Sequence, residues 1–317
     1  MEQTIAMKSR SIQIVLAGLL HVAFVSSAAA AELKAAYLYN LSDFTGVKSF
    51  SAAKIAFDDA KNEVYAMSGE ALTIFNSSGM EVFRLDFDPT MGVVHDVAVH
   101  PEGDLFLLVL KDRQMRIVRC NFRGEPIAPV ALSGLPQERA SFVPDRIFLR
   151  DGRLYLASLG EMQVVITDTQ GGYRESIDLA AKVGLTEKER IDSGIGGFNI
   201  DRDANILFTL PAAAKVYRLS KEGELKSFGR RGSGPGKFGV VSGVAVDKDG
   251  KLLVADTLRC VVMVFDKDFK LLREFGFRGF GQGNLIGPNE IVVDSNNRAY
   301  VSQIRKRGVS VFQISDS

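Results

Sequence analysis

The sequence predicts an all-β chain built as a closed ring of repeated four-stranded units, and three observations carry that expectation. The first is self-similarity. The glycine-rich stretch 228–236 (FGRRGSGPG) is echoed at 275–283 (FGFRGFGQG), and Gly243-Val-Ala-Val-Asp247 is echoed by Glu290-Ile-Val-Val-Asp294. The second is that one hydrophobic frame recurs along the whole chain: short apolar runs end at Asp58, His100, Arg150, Asp201, Asp247 and Asp294, spaced 42, 50, 51, 46 and 47 residues apart. Short strands repeated at such a period are the mark of propeller blades. The third is that the last unit is one strand short at the C-terminus, while a spare strand pattern stands near the N-terminus. Together these predict a six-bladed β-propeller of four-stranded antiparallel blades, the last blade completed by the N-terminal strand.

Each unit justifies its strands in the same order. The first strand is the apolar run itself, as in Ile55-Ala-Phe-Asp58 or Val244-Ala-Val-Asp247. A short polar turn follows (DDAKN, HPEGD, RDGR, DRDAN, DKDGK, DSNNR), rich in Asp, Asn and Gly, whose side chains bond local backbone or tolerate positive φ. Second strands begin at Glu63, Leu105, Leu154, Ile206, Leu252 and Ala299, and third strands at Leu72, Arg116, Val164, Lys215, Val262 and Val309. A fourth strand closes most units, as in Glu224–Phe228 and Leu271–Phe275. The sixth unit ends after its third strand, and the missing partner is assigned to Ala35–Phe44, which ties the ring shut and removes an exposed strand edge.

Residues 1–31 have the pattern of a cleaved secretion signal: Lys8 and Arg10, an apolar run from Ile12 to Val25, then small residues ending at Ala31. Residues 32–317 are then a single domain, exported to the periplasm or the extracellular space, with no membrane span. The full chain carries a net charge of +1, and removal of Glu2, Lys8 and Arg10 leaves it near zero. Broad electrostatic attraction to nucleic acid or to a membrane is therefore not expected. Cys120 and Cys260 fall in blades two and five, opposite each other in a ring of six, too far apart for a disulfide. Two longer connections interrupt the frame. One runs from Glu125 to Asp145 and holds four prolines; the other runs from Leu179 to Gly194, where Thr186 is placed to cap a helical turn before Glu189.

The stretch 228–276 makes the resemblance specific. Its glycine-rich lead-in, its first strand ending in Asp247, its Asp247-Lys-Asp-Gly250 turn, its Val254-Ala-Asp-Thr257 segment and its third strand ending Val264-Phe-Asp266 resemble an NHL repeat. Blade six shares the lead-in and first strand; blades one to four share the apolar frame only. Where that family usually has Asn-His, this chain has Arg259-Cys260, so ligand contacts are not carried over there. The resemblance implies a six-bladed ring that most often serves as a protein- or ligand-binding platform, with some enzymatic relatives.

Two candidate sites follow. The residues just before each first strand should ring the mouth of the central channel. They include Lys54, Asp96, Asp145, Arg146, Asn289 and Glu290. Asp96, Asp145, Asn289 and Glu290 could converge as oxygen ligands for calcium, as in a gluconolactonase-like hydrolase or lyase. Equally they could pair with Lys54 and Arg146, and the mixed signs favour pairing. A histidine zinc site is not expected, since His95 and His100 lie at opposite ends of one strand. The second candidate is the loop face of blades five and six, where Arg230, Arg231, Arg259, Arg278, Arg305, Lys306 and Arg307 gather. That face suits a protein partner, while export argues against RNA. Gly234-Pro-Gly-Lys-Phe-Gly239 matches a dinucleotide fingerprint by count but leads into a strand, so it is read as a turn. The expected function is an exported, non-enzymatic binding scaffold with no cofactor. The alternative is a divalent-metal-dependent enzyme at the channel mouth. Oligomeric state has no signature in the sequence.

Overall fold

The structure is a computed structural model that describes residues 32–43, 45–46, 51–68, 71–304 and 308–316. The assigned signal segment, 1–31, lies outside the described residues. So do Phe44, Arg305, Lys306 and Arg307.

The described chain opens with β1 (Leu33–Asn40). Blade one is β2 (Lys54–Asp58), β3 (Glu63–Ser68), β4 (Ala71–Phe75) and β5 (Glu81–Asp86). Blade two is β6 (Val93–Val99), β7 (Leu105–Lys111), β8 (Gln114–Cys120) and β9 (Pro126–Val130). Blade three is β10 (Arg146–Arg150), β11 (Arg153–Ser158), β12 (Gln163–Asp168) and β13 (Tyr173–Asp178). After α1 (Leu179–Val183) and α2 (Glu187–Ser193), blade four is β14 (Gly197–Ile200), β15 (Ile206–Leu210), β16 (Lys215–Leu219) and β17 (Leu225–Phe228). Blade five is β18 (Val241–Val246), β19 (Leu252–Asp256), β20 (Val261–Phe265) and β21 (Leu271–Phe275). Blade six is β22 (Pro288–Val293), β23 (Arg298–Gln303) and β24 (Val309–Asp316), with β1 as its outer strand.

Every sheet is antiparallel. In five of them the strand order follows the chain, and in the sixth it is β1-β24-β23-β22. The register of the closure runs from Leu33 opposite Asp316 to Asn40 opposite Ser310, with a bulge between Tyr37 and Tyr39. The predicted closing strand is thus present, starting two residues earlier than the apolar pattern suggested. The six inner strands contact one another in sequence around the ring, β22 returning to β2.

The core is divided among the wedges between blades. Each interface holds its own apolar cluster, such as Val216, Val241, Val254 and Met263 between blades four and five, or Ala255, Val262, Val301 and Phe312 between five and six. The polar turn after each inner strand is built as its composition predicts. The Asp201 carboxylate accepts from the amides of Asp203 and Asn205; Asp247 does the same for Asp249 and Lys251, and Asp294 for Asn296 and Arg298. A side-chain oxygen that mimics a backbone acceptor stabilises the turn and explains the recurring Asp at the strand end.

Two details depart from the pattern read in the sequence. Pro126 and Pro129 belong to β9, not to a connection. β9 is the exposed outermost strand of its blade, where missing N–H groups cost the ladder nothing on the open side. The second long connection folds into two short helices, and Thr186 caps α2 in a reciprocal box with Glu189. Cys120 and Cys260 are both buried and unpaired; burial, with Asp104 nearby, pushes the Cys120 thiol up to about 11. No helix among the described residues is long and apolar enough to cross a membrane.

Candidate functional site

The channel mouth is built from the leading halves of the inner strands: Lys54 and Arg146 open β2 and β10, Asp145 just precedes β10, and Asp96, Asn289 and Glu290 lie within β6 and β22 rather than just before them as the sequence suggested. Arg146 opens β10 and stands at the centre. Its guanidinium donates to Asp96 Oδ2 at 2.7 Å and to Glu290 Oε1 at 2.8 Å. The Asp96 pair joins neighbouring blades, whereas the Glu290 pair spans the channel from blade three to blade six. All three side chains are withdrawn from solvent: 10% exposed for Arg146, 4% for Asp96 and 16% for Glu290. Burial works against the charged guanidinium, and Asp96 and Glu290 more than reverse this, so it is held in its charged form. Asp96 Oδ2 also accepts from the Ile147 amide at 3.0 Å.

The other predicted mouth residues surround this pairing. Lys54 donates through Nζ to the His95 carbonyl. Burial lowers its pKa and Arg146 adds repulsion, while Asp96 and Glu290 oppose both. Asp145 turns to its own blade, where Oδ2 accepts from the Leu159 amide at 3.1 Å; burial raises its pKa, and that hydrogen bond opposes the rise. Asp145 Oδ1 and Asn289 Oδ1 are buried with no hydrogen-bond partner in the described structure. A cavity of about 290 Å³ lies at the mouth, lined by Arg146, Phe148, Thr257, Asn289 and Glu290 among others. Of the four oxygen donors named from the sequence, Asp96 and Glu290 converge on a guanidinium and Asp145 Oδ2 on a backbone amide, which leaves Asp145 Oδ1 and Asn289 Oδ1 as the unpartnered oxygens of the set. Among the described residues no cluster of three or more His, Cys, Asp or Glu side chains is placed to hold a metal.

One channel feature was not anticipated from the sequence. At the opposite end Arg202 of blade four pairs with Asp59 of blade one at 3.1 Å, again across the ring. Both residues sit in turns after inner strands, where their pairing depends on ring geometry and leaves no local signal.

The loop face of blades five and six is stitched by the arginines assigned to it. Arg231 donates to the carbonyls of Pro211, Ala212 and Gly239. Arg278 donates to the Leu258 carbonyl at 2.9 Å. Arg259 makes a two-pronged pair with Glu274 at 2.9 and 2.8 Å and also donates to the Lys237 carbonyl. Arg230 is exposed. Asp256, in the Val-Ala-Asp-Thr segment, is fully buried and accepts from the amides of Gly239, Val240 and Arg259. Beside these polar stitches the same loops expose apolar side chains: Leu258 (58%), Phe277 (56%) and Phe280 (83%). The sequence reading passed over them, since glycine-rich loops have no periodicity against which an exposed aromatic stands out.

No family model matches the chain, and no curated protein matches it. Solved structures do. A protein of unknown function from Bacteroides thetaiotaomicron VPI-5482 has a TM-score of 0.60 at 13% identity, covering 90% of this chain and 77% of that one. A streptogramin B lyase has a TM-score of 0.56 at 12% identity, over 89% of this chain and 98% of that one. A catalytically inactive virginiamycin B lyase from Staphylococcus aureus, with quinupristin, has a TM-score of 0.55 at 12% identity, over 89% and 99%. At these identities the likeness is one of fold.

Proposed function

We propose that this chain is an exported, non-enzymatic binding scaffold of the NHL-propeller type that holds a protein partner on the loop face of blades five and six. The observation that carries the reading is the pairing of Arg146 with Asp96 and Glu290 across the channel mouth. A reactive carboxylate or a cation ligand needs a side chain left available for substrate or metal. Here Asp96 and Glu290 are committed to a guanidinium, and removing one partner would strand the other's charge; Asp145 Oδ1 and Asn289 Oδ1 stay unpartnered on the same rim, too few on their own for the roughly six to eight oxygens of a calcium ion. What remains for recognition is the outer loop surface, which is held in shape by Arg231, Arg259 and Arg278. The glycine-rich lead-ins and the Asp247 turn support the NHL-type assignment. The signal pattern of residues 1–31 and the near-neutral remainder support export and a protein partner.

The test is a metal analysis of the chain recovered after export and purified without chelator, together with melting curves with and without calcium. The scaffold reading expects no stoichiometric ion and no calcium-dependent shift. About one tightly held divalent ion, lost in Asp96→Ala or Glu290→Ala, would overturn it and send the protein to a lactone and ester screen.

A further inference from the structure

The ring mouth is filled on one side and open on the other. At the same position ahead of the inner turn, blades one, two, three and six place Lys54, Asp96, Arg146 and Glu290, whereas blades four and five place Gly197 and Gly243. Neither glycine has room for a side chain. A Cβ at Gly197 would stand 2.1 Å from the Ser242 carbonyl oxygen, and one at Gly243 would stand 2.8 Å from the Ile291 amide nitrogen. The close approach of blades four, five and six therefore keeps this side of the mouth free of side chains, and the cavity of about 290 Å³ lies there. The docking face completes its wall. Pro211, whose carbonyl Arg231 holds, and Val240, the last residue of the blade-five lead-in, both line it. The cavity is thus the place where the loop face meets the ion-paired mouth.

Its lining combines an apolar wall with a polar one. Phe148 and Phe198 supply two rings, with centroids 5.4 Å apart and planes tilted by 50°. On the polar wall, Arg146 uses Nε on Asp96 and Nη2 on Glu290 Oε1. Its remaining nitrogen, Nη1, and the remaining oxygen, Glu290 Oε2, make no hydrogen bond among the described residues. Neither is shut away from solvent as Asn289 Oδ1 is. One donor and one acceptor are therefore left, each a single carbon removed from the contact between Nη2 and Oε1.

Charge and size specify what suits this place. Arg146 already faces two carboxylates, so a further anion would meet Asp96 and Glu290, and a cation would meet the guanidinium. The fitting group is neutral and both gives and accepts a hydrogen bond, which a hydroxyl does from one oxygen. The aromatic wall calls for an apolar body behind that hydroxyl. A cavity of about 150 Å³ holds benzene, so this one has room for a ring with a substituent. A sugar would bring hydroxyls too, but would set several of them against the phenyl rings.

Resting on the scaffold reading, we infer that this cavity is the anchor pocket of the docking face and receives a tyrosine side chain of the partner protein. The ring rests on Phe148 and Phe198, and the hydroxyl is shared between Arg146 and Glu290. An amphipathic ring seated in a largely desolvated pocket is a common energetic centre of a protein interface.

The experiment titrates four probes into the full chain recovered after export and reads binding by calorimetry. They are a glycine pentapeptide with a central tyrosine, blocked at both ends; the same peptide with phenylalanine; p-cresol; and methyl glucoside. The tyrosine peptide should bind about tenfold more tightly than the phenylalanine peptide, the difference being one hydroxyl on two charged partners. Val240→Trp adds bulk at a wall residue that is 38% exposed, and its backbone amide keeps its bond to Asp256. It should keep the unfolding midpoint and lose about tenfold in affinity for the tyrosine peptide. Glu290→Gln keeps an oxygen for Arg146 but removes the carboxylate acceptor, so the two peptides should then bind within about threefold of each other. Equal binding of the two peptides by the unaltered chain would overturn the proposal, as would discrimination that survives Glu290→Gln or full binding by a folded Val240→Trp. Tighter binding of methyl glucoside would name a carbohydrate occupant instead, and binding of p-cresol with exclusion of the tyrosine peptide would name a free phenol. Failure of all four probes sinks the anchor pocket but leaves the scaffold reading to the metal and calcium test.

Discussion

Under the lead-in loop of blade five, Arg259 from the turn after β19 and Glu274 of β21 form a two-pronged ion pair, and Glu274 also accepts from the Gly236 amide at 3.0 Å. In blade six the matching turn rests on Tyr37: a Cβ added at Gly283 would stand 3.1 Å from Tyr37 Cβ, and the Tyr37 ring meets Phe312 edge-on at 5.8 Å. The bridge and the arginine grip agree, but the backbones part at Phe277, which stands at φ 49° where Arg230 does not, and the supports differ. The reason is topological. The outer strand of blade five is the chain's own β21, which brings Glu274, whereas the outer strand of blade six is β1 from the far N-terminus. A repeat can preserve its bridge and its grip through glycines and one arginine while the side chains below it follow whichever strand happens to close the blade. The side chains above it are then also free to diverge, and in blade six they have become aromatic.

The largest effect expected from breaking this comparison is at the ion pair. Glu274→Ala leaves Arg259 mostly buried (15% exposed) without its counter-charge. We expect a loss of about 3 kcal/mol, read from the urea midpoint at constant slope. Tyr37→Ala, the parallel change in blade six, removes packing and no charge, and should cost about 2 kcal/mol. If the two costs were equal, the difference in support would carry no energetic meaning.

Next come the glycines at the start of the loops. Gly229 and Gly276 occupy matching positions at φ 109° and 105°. An added Cβ at Gly229 would meet the Ala214 carbonyl oxygen at 2.7 Å as well as the Phe238 ring, but at Gly276 its close neighbours are atoms of the flexible Leu285 side chain. Both alanine variants strain the backbone, and only one also strikes backbone. Gly229→Ala should cost roughly 2.5 kcal/mol and Gly276→Ala roughly 1 kcal/mol, checked in the same denaturation series. A larger cost at Gly276 would show that Leu285 cannot give way.

How far the twins were visible in the sequence follows from what each feature depends on. The glycines, the strand-end Asp247 and Asp294 and the spacing of 47 are local chemistry that placed blades five and six, and the recurring apolar frame with its polar turns placed blades one to four. The closing strand was legible because an unpartnered third strand demands a neighbour. The channel mouth was legible by position: Lys54, Asp96, Arg146 and Glu290 do meet there. That Arg146 reaches across to Glu290, while Asp145 turns to the Leu159 amide, depends on the ring's diameter and the tilt of each strand, which no local pattern encodes. The basic face illustrates the opposite limit. Counting arginines found the surface, but a count cannot tell a guanidinium that grips its own loop, as Arg231 and Arg278 do, from one turned outward.

Arg231 and Arg278 offer a smaller and finer contrast. Arg231 donates to three carbonyls and Arg278 to one. Both are exposed, so water replaces much of what alanine removes, and the expected costs are about 1 kcal/mol for Arg231→Ala and about 0.5 kcal/mol for Arg278→Ala. Hydrogen exchange of the amides near Gly232 and Gly279 would separate them, with faster exchange expected in the blade-five loop of Arg231→Ala. Equal protection in the two variants would mean that the glycines alone hold the loops.

The smallest effect on stability is expected from exchanging the exposed side chains of the blade-six loop for those of its blade-five counterpart. Phe277→Arg with Phe280→Ser should move the unfolding free energy by less than about 0.5 kcal/mol, because exposed side chains away from caps and cores rarely contribute more. The reasoning is specific to this molecule. Phe277 is 56% exposed at φ 49°, and its counterpart in the blade-five loop is an arginine. Phe280 is 83% exposed, and its twin is a serine. If the double variant instead lost more than about 1 kcal/mol, the aromatics would be part of the folded support of blade six, comparable to Tyr37.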